Sequence, residues 1–156
     1  VNAGHVPIGE LLVQSGRLDK TQLERALELQ RERGVRLGDA IVALGFLSQP
    51  VVLTEVARQR AVPYVELGTR NVPAQIVQLV PARFIRARRV FPFALGPHEH
   101  RGQLFVATTV PHYLGTLDEV AFMTGMAVKP VLVSDDDLDR AIERHLGRAR
   151  PLGSSA

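Results

Sequence analysis

The 156-residue sequence contains no cysteine and no tryptophan, and aromatic residues make up only 5% of it. Without cysteine there is no disulfide framework, no thiolate metal site and no cysteine nucleophile. With so few rings, the core has to be packed from Leu, Val, Ile and Ala, which favours helices carrying aliphatic stripes. Long hydrophobic runs are missing as well: nothing approaches the ~18 apolar residues of a membrane span. Residues 1–7 lack the charged start and apolar core of a signal peptide. A cytoplasmic protein is the simplest expectation. Lysine is scarce, with Lys20 and Lys129 alone beside the arginines in a chain of net charge +3. Arginine's planar fork suits phosphates and guanine edges, although a codon preference for arginine accounts for the bias as readily.

Catalytic motifs are lacking too. There is no G-x-x-x-x-G-K-[ST] phosphate loop, no nucleophile elbow and no zinc-protease helix motif, so no enzyme is expected. His98 and His100 share a loop with Glu99, but two imidazoles at a hairpin tip make a poor metal site. Asp135, Asp136 and Asp137 follow Ser134, where negative charge suits the start of a helix and needs no cation. Arg83, Arg86, Arg88 and Arg89 fall on more than one helical face, as a solvated surface does, so no nucleic-acid partner is expected.

What is present is a globular composition, 46% apolar and 22% charged, with room for two small subdomains. Ile8, Leu11, Leu12 and Ser15 share one helical face that Gly16 ends. Asp19 and Gln22 form a capping-box pattern at the start of a helix over residues 20–33, with Leu23, Ala26 and Leu27 as its stripe and Gly34 as its stop. The pattern then restarts. Leu37, Ala40, Ile41 and Leu44 lead to Gly45, and Ser48 is placed to cap a helix carrying Val52, Leu53, Val56 and Ala57, with Pro50 tolerated in its first turn. Residues 62–67 read as an extended bridge. Beyond them the patterns predict short helices over 73–80 and 82–88, strands over 90–95 and 103–108 joined by a polar loop, a helix over 116–124, a strand over 127–133 and a last helix over 135–146. The expected fold is α+β: a helical subdomain over residues 1–62, a small α/β subdomain of about three strands over 63–147, and a disordered tail over 148–156.

The helical half is a repeat. Gly9 pairs with Gly38, Leu12 with Ile41, Gly16 with Gly45, Leu23 with Val52, Leu27 with Val56 and Gln30 with Gln59, each separated by 29 residues. Two helical hairpins related by a pseudo-two-fold or by a translation follow from this register. Gln30 and Gln59 lie on the apolar face of their helices, where an amide needs a hydrogen-bond partner; bracing a neighbouring loop is the plainer role for each. Gly16 and Gly45 read as helix stops. Gly9 and Gly38 stand in first turns, where a missing side chain allows close approach, either by the other helix pair or by an anion meeting free N–H groups. Arg36 would set a guanidinium beside them.

The pattern Arg-Leu-Gly-x-x-Leu-x-x-x-Gly-x-x-x-x-x-x-Leu-x-x-x-Leu-x-x-Gln, in copies at residues 7–30 and 36–59, resembles the N-terminal domain of bacterial ATPases of type II secretion and type IV pilus assembly. Residues 79–81 ahead of a basic helix, the strand Leu104-Phe105-Val106-Ala107 and the closing strand and helix over 128–142 extend the resemblance along nearly the whole chain. It implies a regulatory domain that binds the second messenger cyclic di-GMP, a ligand with two guanines and two phosphates related by a two-fold. The implied ligand-binding residues are Ile8, Gly9, Leu12, Leu23, Leu27, Gln30, Arg36, Leu37, Gly38, Asp39, Ile41, Val52, Val56 and Gln59. In such a role, aliphatic side chains would cover guanine faces while Arg36 and the glutamines meet base edges or phosphates. No other cofactor is implied. The implied partners are an ATPase domain in cis or trans and an inner-membrane secretion or pilus component. Three departures stand out: Pro7-Ile8-Gly9 replaces Arg-Leu-Gly in the first copy, Val52 and Val56 replace leucines in the second, and Val110-Pro111 stands where the family often has Asp-Pro. An alternative reading keeps the fold as a docking module for the membrane component and drops the nucleotide.

Overall fold

A computed structural model describes residues 7–96, 102–109 and 114–147. The chain forms two compact units, the first ending at Tyr64 and the second beginning at Val65. The expected α+β fold is what is found, with eight helices and three strands among the described residues.

The first unit consists of α1 (Ile8–Gln14), α2 (Lys20–Arg33), α3 (Leu37–Ala43) and α4 (Gln49–Arg60). The repeat is reproduced in the backbone. The residues capping α1 and α3, Pro7 and Arg36, have φ/ψ of −56°/147° and −69°/150°. Ser15 and Leu44 close those helices at −80°/−2° and −79°/−5°, followed by Gly16 and Gly45 at φ 78° and 76°. A left-handed φ costs glycine nothing, so both glycines turn the chain into the next helix. The turn hydrogen bonds match too: Arg17 N–H donates to the Leu12 carbonyl, and Phe46 N–H to that of Ile41.

Packing decides between the two symmetries. α2 lies against α3, and α1 against α4. A pseudo-two-fold exchanges these two contacts, whereas a translation generates only the first. The core between the hairpins is Leu12, Leu18, Ala26, Ala40, Ile41 and Val52.

Where the copies differ, local chemistry explains it. Asp19 and Gln22 form the full capping box, with Asp19 Oδ1 accepting from Gln22 N–H at 2.7 Å and Gln22 Oε1 from Asp19 N–H at 3.0 Å. Ser48 occupies the matching N-cap position but makes no side-chain cap bond. Pro50 has no N–H to offer there, and Val51, at the position of Gln22, cannot return a bond. α2 ends on Gly34 with φ 66°, while α4 ends two residues earlier in the repeat on Ala61 with φ 57°.

The second unit comprises α5 (Ala74–Val77), α6 (Ala82–Arg88), β1 (Val90–Leu95), β2 (Gln103–Thr108), α7 (Leu114–Thr124), β3 (Ala127–Leu132) and α8 (Asp135–Leu146). The sheet order is β1-β2-β3, with β1 antiparallel and β3 parallel to β2. Pro92 and Pro130 both sit in edge strands, where a missing N–H is tolerated, and a register shift follows Pro92. The helix expected over 73–80 is confined to four residues; Val80 precedes Pro81 and is steered away from helical dihedrals. α7 begins two residues before its expected start, and residues 62–67 contain a single bridge residue, Tyr64. The tail expected to be disordered, the His98-Glu99-His100 loop and Val110-Pro111 lie outside the described residues.

Candidate ligand-binding site

The two copies fix their glycines for the same reason. A methyl group on Gly38 would lie 3.1 Å from Val52 Cγ1, and one on Gly9 would lie 2.8 Å from Leu23 Cδ1. In each hairpin the first stripe residue of the long helix therefore rests on the glycine of the short one. The same methyl on Gly9 would stand 3.0 Å from Leu37 Cδ2. Leu37 belongs to the other copy, so the starts of α1 and α3 meet close to the pseudo-two-fold. The close approach at Gly38 comes from its own hairpin, through Val52, and Gly9 alone is also met by the other helix pair, through Leu37; both short helices are only seven residues long.

The implied ligand residues separate into two sets. Leu12 and Ile41 have no exposed surface, Val52 is buried at 4%, and Gly9 is buried beneath its leucines. These residues hold the hairpins together. Ile8, Leu23, Leu27, Gln30, Leu37, Gly38, Val56 and Gln59 are half-buried, while Arg36 and Asp39 are exposed. This second set combines partly open aliphatic surface with amides and a guanidinium.

Gln30 is informative. Its side chain makes no hydrogen bond among the described residues, although it is half-buried. No bond that would brace a loop is seen for this amide among the described residues, and it stands on the apolar stripe of α2. Gln59 stands at the matching position of α4 and does have an interaction partner.

Arg36 Nε donates to Asp39 Oδ2 at 3.0 Å, with 53% and 47% of the two side chains exposed. An exposed pair three residues apart contributes only ~0.3–0.5 kcal/mol to stability. Its larger effect is to fix the plane of the guanidinium. The first copy has Pro7 and Glu10 at these positions, so it presents a carboxylate with no arginine to balance it. Charge near the two-fold is therefore lopsided.

One further asymmetry was hidden in the sequence. Glu55, 2% exposed, accepts from Arg17 Nε at 3.0 Å, with Arg58 more distant at 3.7 Å. Its counterpart in α2 is the core residue Ala26, and that of Arg17 is Phe46. The hairpins are thus joined on one side of the two-fold by an ion pair between a buried carboxylate and a partly exposed arginine, and by apolar residues on the other. The repeat register contained a signal, since Glu55 falls on the stripe between Val52 and Val56.

In the second unit three of the four clustered arginines, Arg86, Arg88 and Arg89, make structural contacts. Arg86 donates to the carbonyls of Leu146 and Gly147 at the end of α8, both at 2.8 Å. Arg89 pairs with Asp139 at 2.7 Å and Asp135 at 3.5 Å, and Arg88 pairs with Glu119 while lying over the Phe84 ring. Asp137, 4% exposed, accepts from the backbone N–H groups of Leu67 and Gly68, and its own N–H donates to Ser134 Oγ. The acidic helix start is therefore also a tertiary clamp. No group of three His, Cys, Asp or Glu side chains suited to a metal occurs among the described residues. No described helix is long and apolar enough to cross a membrane.

Known proteins share this architecture. The solved structure of MshE with cdg matches at a TM-score of 0.75 and 28% identity, covering 90% of this chain and 99% of that one. The N-terminal domain of XpsE matches at 0.60 and 26%, covering 88% and 92%. The type IV pilus assembly ATPase PilB of Myxococcus xanthus is 30% identical over 145 residues, 92% of this chain but only 25% of that protein. The chain thus spans about a quarter of that relative. The MshEN domain family model matches residues 60–152, more than half of the sequence. The chain belongs to the MshEN domain family.

Proposed function

We propose that the helical unit binds cyclic di-GMP and relays its binding to an ATPase, in cis or in trans, of a type II secretion or type IV pilus system in the bacterial cytoplasm. The observation that carries this reading is the pseudo-two-fold itself. Two copies of one motif, with matching backbones and adjoining starts, offer paired though unequally charged surfaces to a ligand that is itself two halves. The neighbour MshE, solved with cdg (cyclic di-GMP), supports the choice of ligand.

The roles follow from exposure. Leu23, Leu27, Leu37 and Val56, with Ile8 at the edge, supply aliphatic surface for the guanine faces. Gln30 and Gln59 meet base edges, and each bond to an uncharged partner adds about 0.5–1.5 kcal/mol. Arg36, steadied by Asp39, meets a phosphate or the O6/N7 edge of a guanine. Nothing in these roles breaks or makes a covalent bond. The unit is a receptor, and catalysis belongs to the partner ATPase.

Calorimetric titration of the purified chain with cyclic di-GMP, paired with amide chemical-shift mapping, tests the reading. Saturable binding with shifts at residues 23–30, 36–38 and 56–59 is expected. Absence of both heat and shifts at millimolar ligand would leave the docking module, which the unbalanced Glu10 and the missing arginine at Pro7 favour, as the better account.

A further inference from the structure

α7 exposes an apolar surface that its own fold does not use. Phe122 is 93% exposed and Met123 41%. Thr116, Leu117 and Val120 form the buried side of the helix, while Gly115, Asp118, Glu119, Phe122 and Met123 are exposed. At ~100° per residue, Phe122 projects between Asp118, one turn before it, and Glu119 on the opposite flank. Gly115, two turns before Phe122, has open space where a Cβ would stand. The result is a ring on a bare stretch of helix, bordered by two carboxylates. Glu119 pairs with Arg88 at 3.5 Å with both side chains about half exposed, and no ion pair engages Asp118 among the described residues.

A ring this exposed gains nothing for folding, since burial is the source of its hydrophobic contribution. Exposed apolar patches rimmed by polar residues mark contact surfaces, and Phe and Met are enriched at interfaces whose rim is polar. We infer that the α7 face docks a segment of another protein in which an apolar side chain is flanked by Lys or Arg. The apolar residue packs on Phe122 and Met123 over the gap at Gly115, and the basic flank meets Asp118. Glu119 is already balanced by Arg88, so Asp118 selects the partner class: it repels an anionic lipid surface and attracts a basic protein segment. This surface lies in the second unit and is independent of the nucleotide reading.

The test places the photo-crosslinking amino acid p-benzoylphenylalanine at position 122 in the full-length protein inside its own cells, with adducts sequenced by mass spectrometry. The expected result is an adduct to a different protein at an apolar residue that has Lys or Arg within three positions. Asp118→Lys should reduce that adduct at least several-fold. Phe122→Ser should abolish association with the sequenced partner peptide, tested by titration, while leaving the melting temperature unchanged or higher. Adducts confined to a second copy of the chain, adducts confined to lipid, no adduct, or a partner site without basic residues would each overturn the assignment. So would an adduct indifferent to Asp118→Lys.

Discussion

The two copies of the helical motif share a backbone and differ in their charges, and the comparison separates what the fold requires from what a ligand would require. The turns after the two short helices agree to within a few degrees of dihedral angle, their N-caps Pro7 and Arg36 share the extended region at φ −56° and −69°, and the close approaches to Gly9 and Gly38 are 2.8 and 3.1 Å. Those features are set by packing: Leu23 over Gly9, Val52 over Gly38, and Gly16 and Gly45 turning the chain. The differences cluster at positions facing the partner hairpin or solvent. Pro7 and Glu10 in one copy stand against the Arg36–Asp39 pair in the other, and Ala26 with Phe46 stands against Glu55 with Arg17. The short helices and their turns obey the two-fold. Charged positions break it.

The largest expected effect comes from breaking the buried pair. Arg17→Ala strands the Glu55 carboxylate, 2% exposed, with only the more distant Arg58. Loss of one partner from a buried pair costs about 3–5 kcal/mol, and the 41% exposure of the Arg17 side chain lowers the expectation to about 2–3 kcal/mol. The double variant Arg17→Phe/Glu55→Ala imports the chemistry of Phe46 and Ala26 and should recover most of that loss. Urea denaturation of the single and double variants measures both. If the double variant is as unstable as the sum of its single changes, the equivalence of the two contacts across the two-fold is wrong.

A smaller effect probes the ends of the long helices. Gly34 adopts its left-handed φ at no cost, whereas Ala61 does so at φ 57° with a Cβ in the way. Ala61→Gly should therefore stabilise the unit by about 0.5–1 kcal/mol, seen as a higher urea midpoint. Gly34→Ala should shift the midpoint in the opposite direction by a similar amount.

Much of this was legible in the sequence because the signals were local. Asp19 followed by Gln22, glycines at positions 16 and 45, and a constant 29-residue register fixed four helices and their pairing into hairpins. The α+β class and three strands also follow from short-range periodicity. The symmetry operator did not, because the contact of α1 with α4 joins segments some forty residues apart. Glu55 was missed for a related reason: a glutamate on a helix reads as solvated unless its partner, here 38 residues away, is known. The bonds from Leu67 and Gly68 to Asp137, and from Val72 N–H to His145 Nε2, are equally non-local. The motif groups fourteen residues that differ in burial: Leu12, Ile41 and Val52 lie in the core, whereas Gln30 and the other aliphatics are half-buried and Arg36 is exposed. Motif matching registers which residues recur, and exposure tells which of them a ligand can touch.

As a receptor for cyclic di-GMP, the helical unit would be asymmetric and anchored by its second copy. Pro7 already holds the φ/ψ that Arg36 adopts, so an arginine fits there without strain and would face Glu10 as Arg36 faces Asp39. The most direct measurement is the calorimetric affinity for cyclic di-GMP of the unaltered chain, Arg36→Ala and Pro7→Arg. The account predicts weakening of roughly tenfold or more for Arg36→Ala and tightening of several-fold for Pro7→Arg, as a gained or lost charged contact of about 1.5 kcal/mol implies. Equal affinity in all three proteins would contradict it.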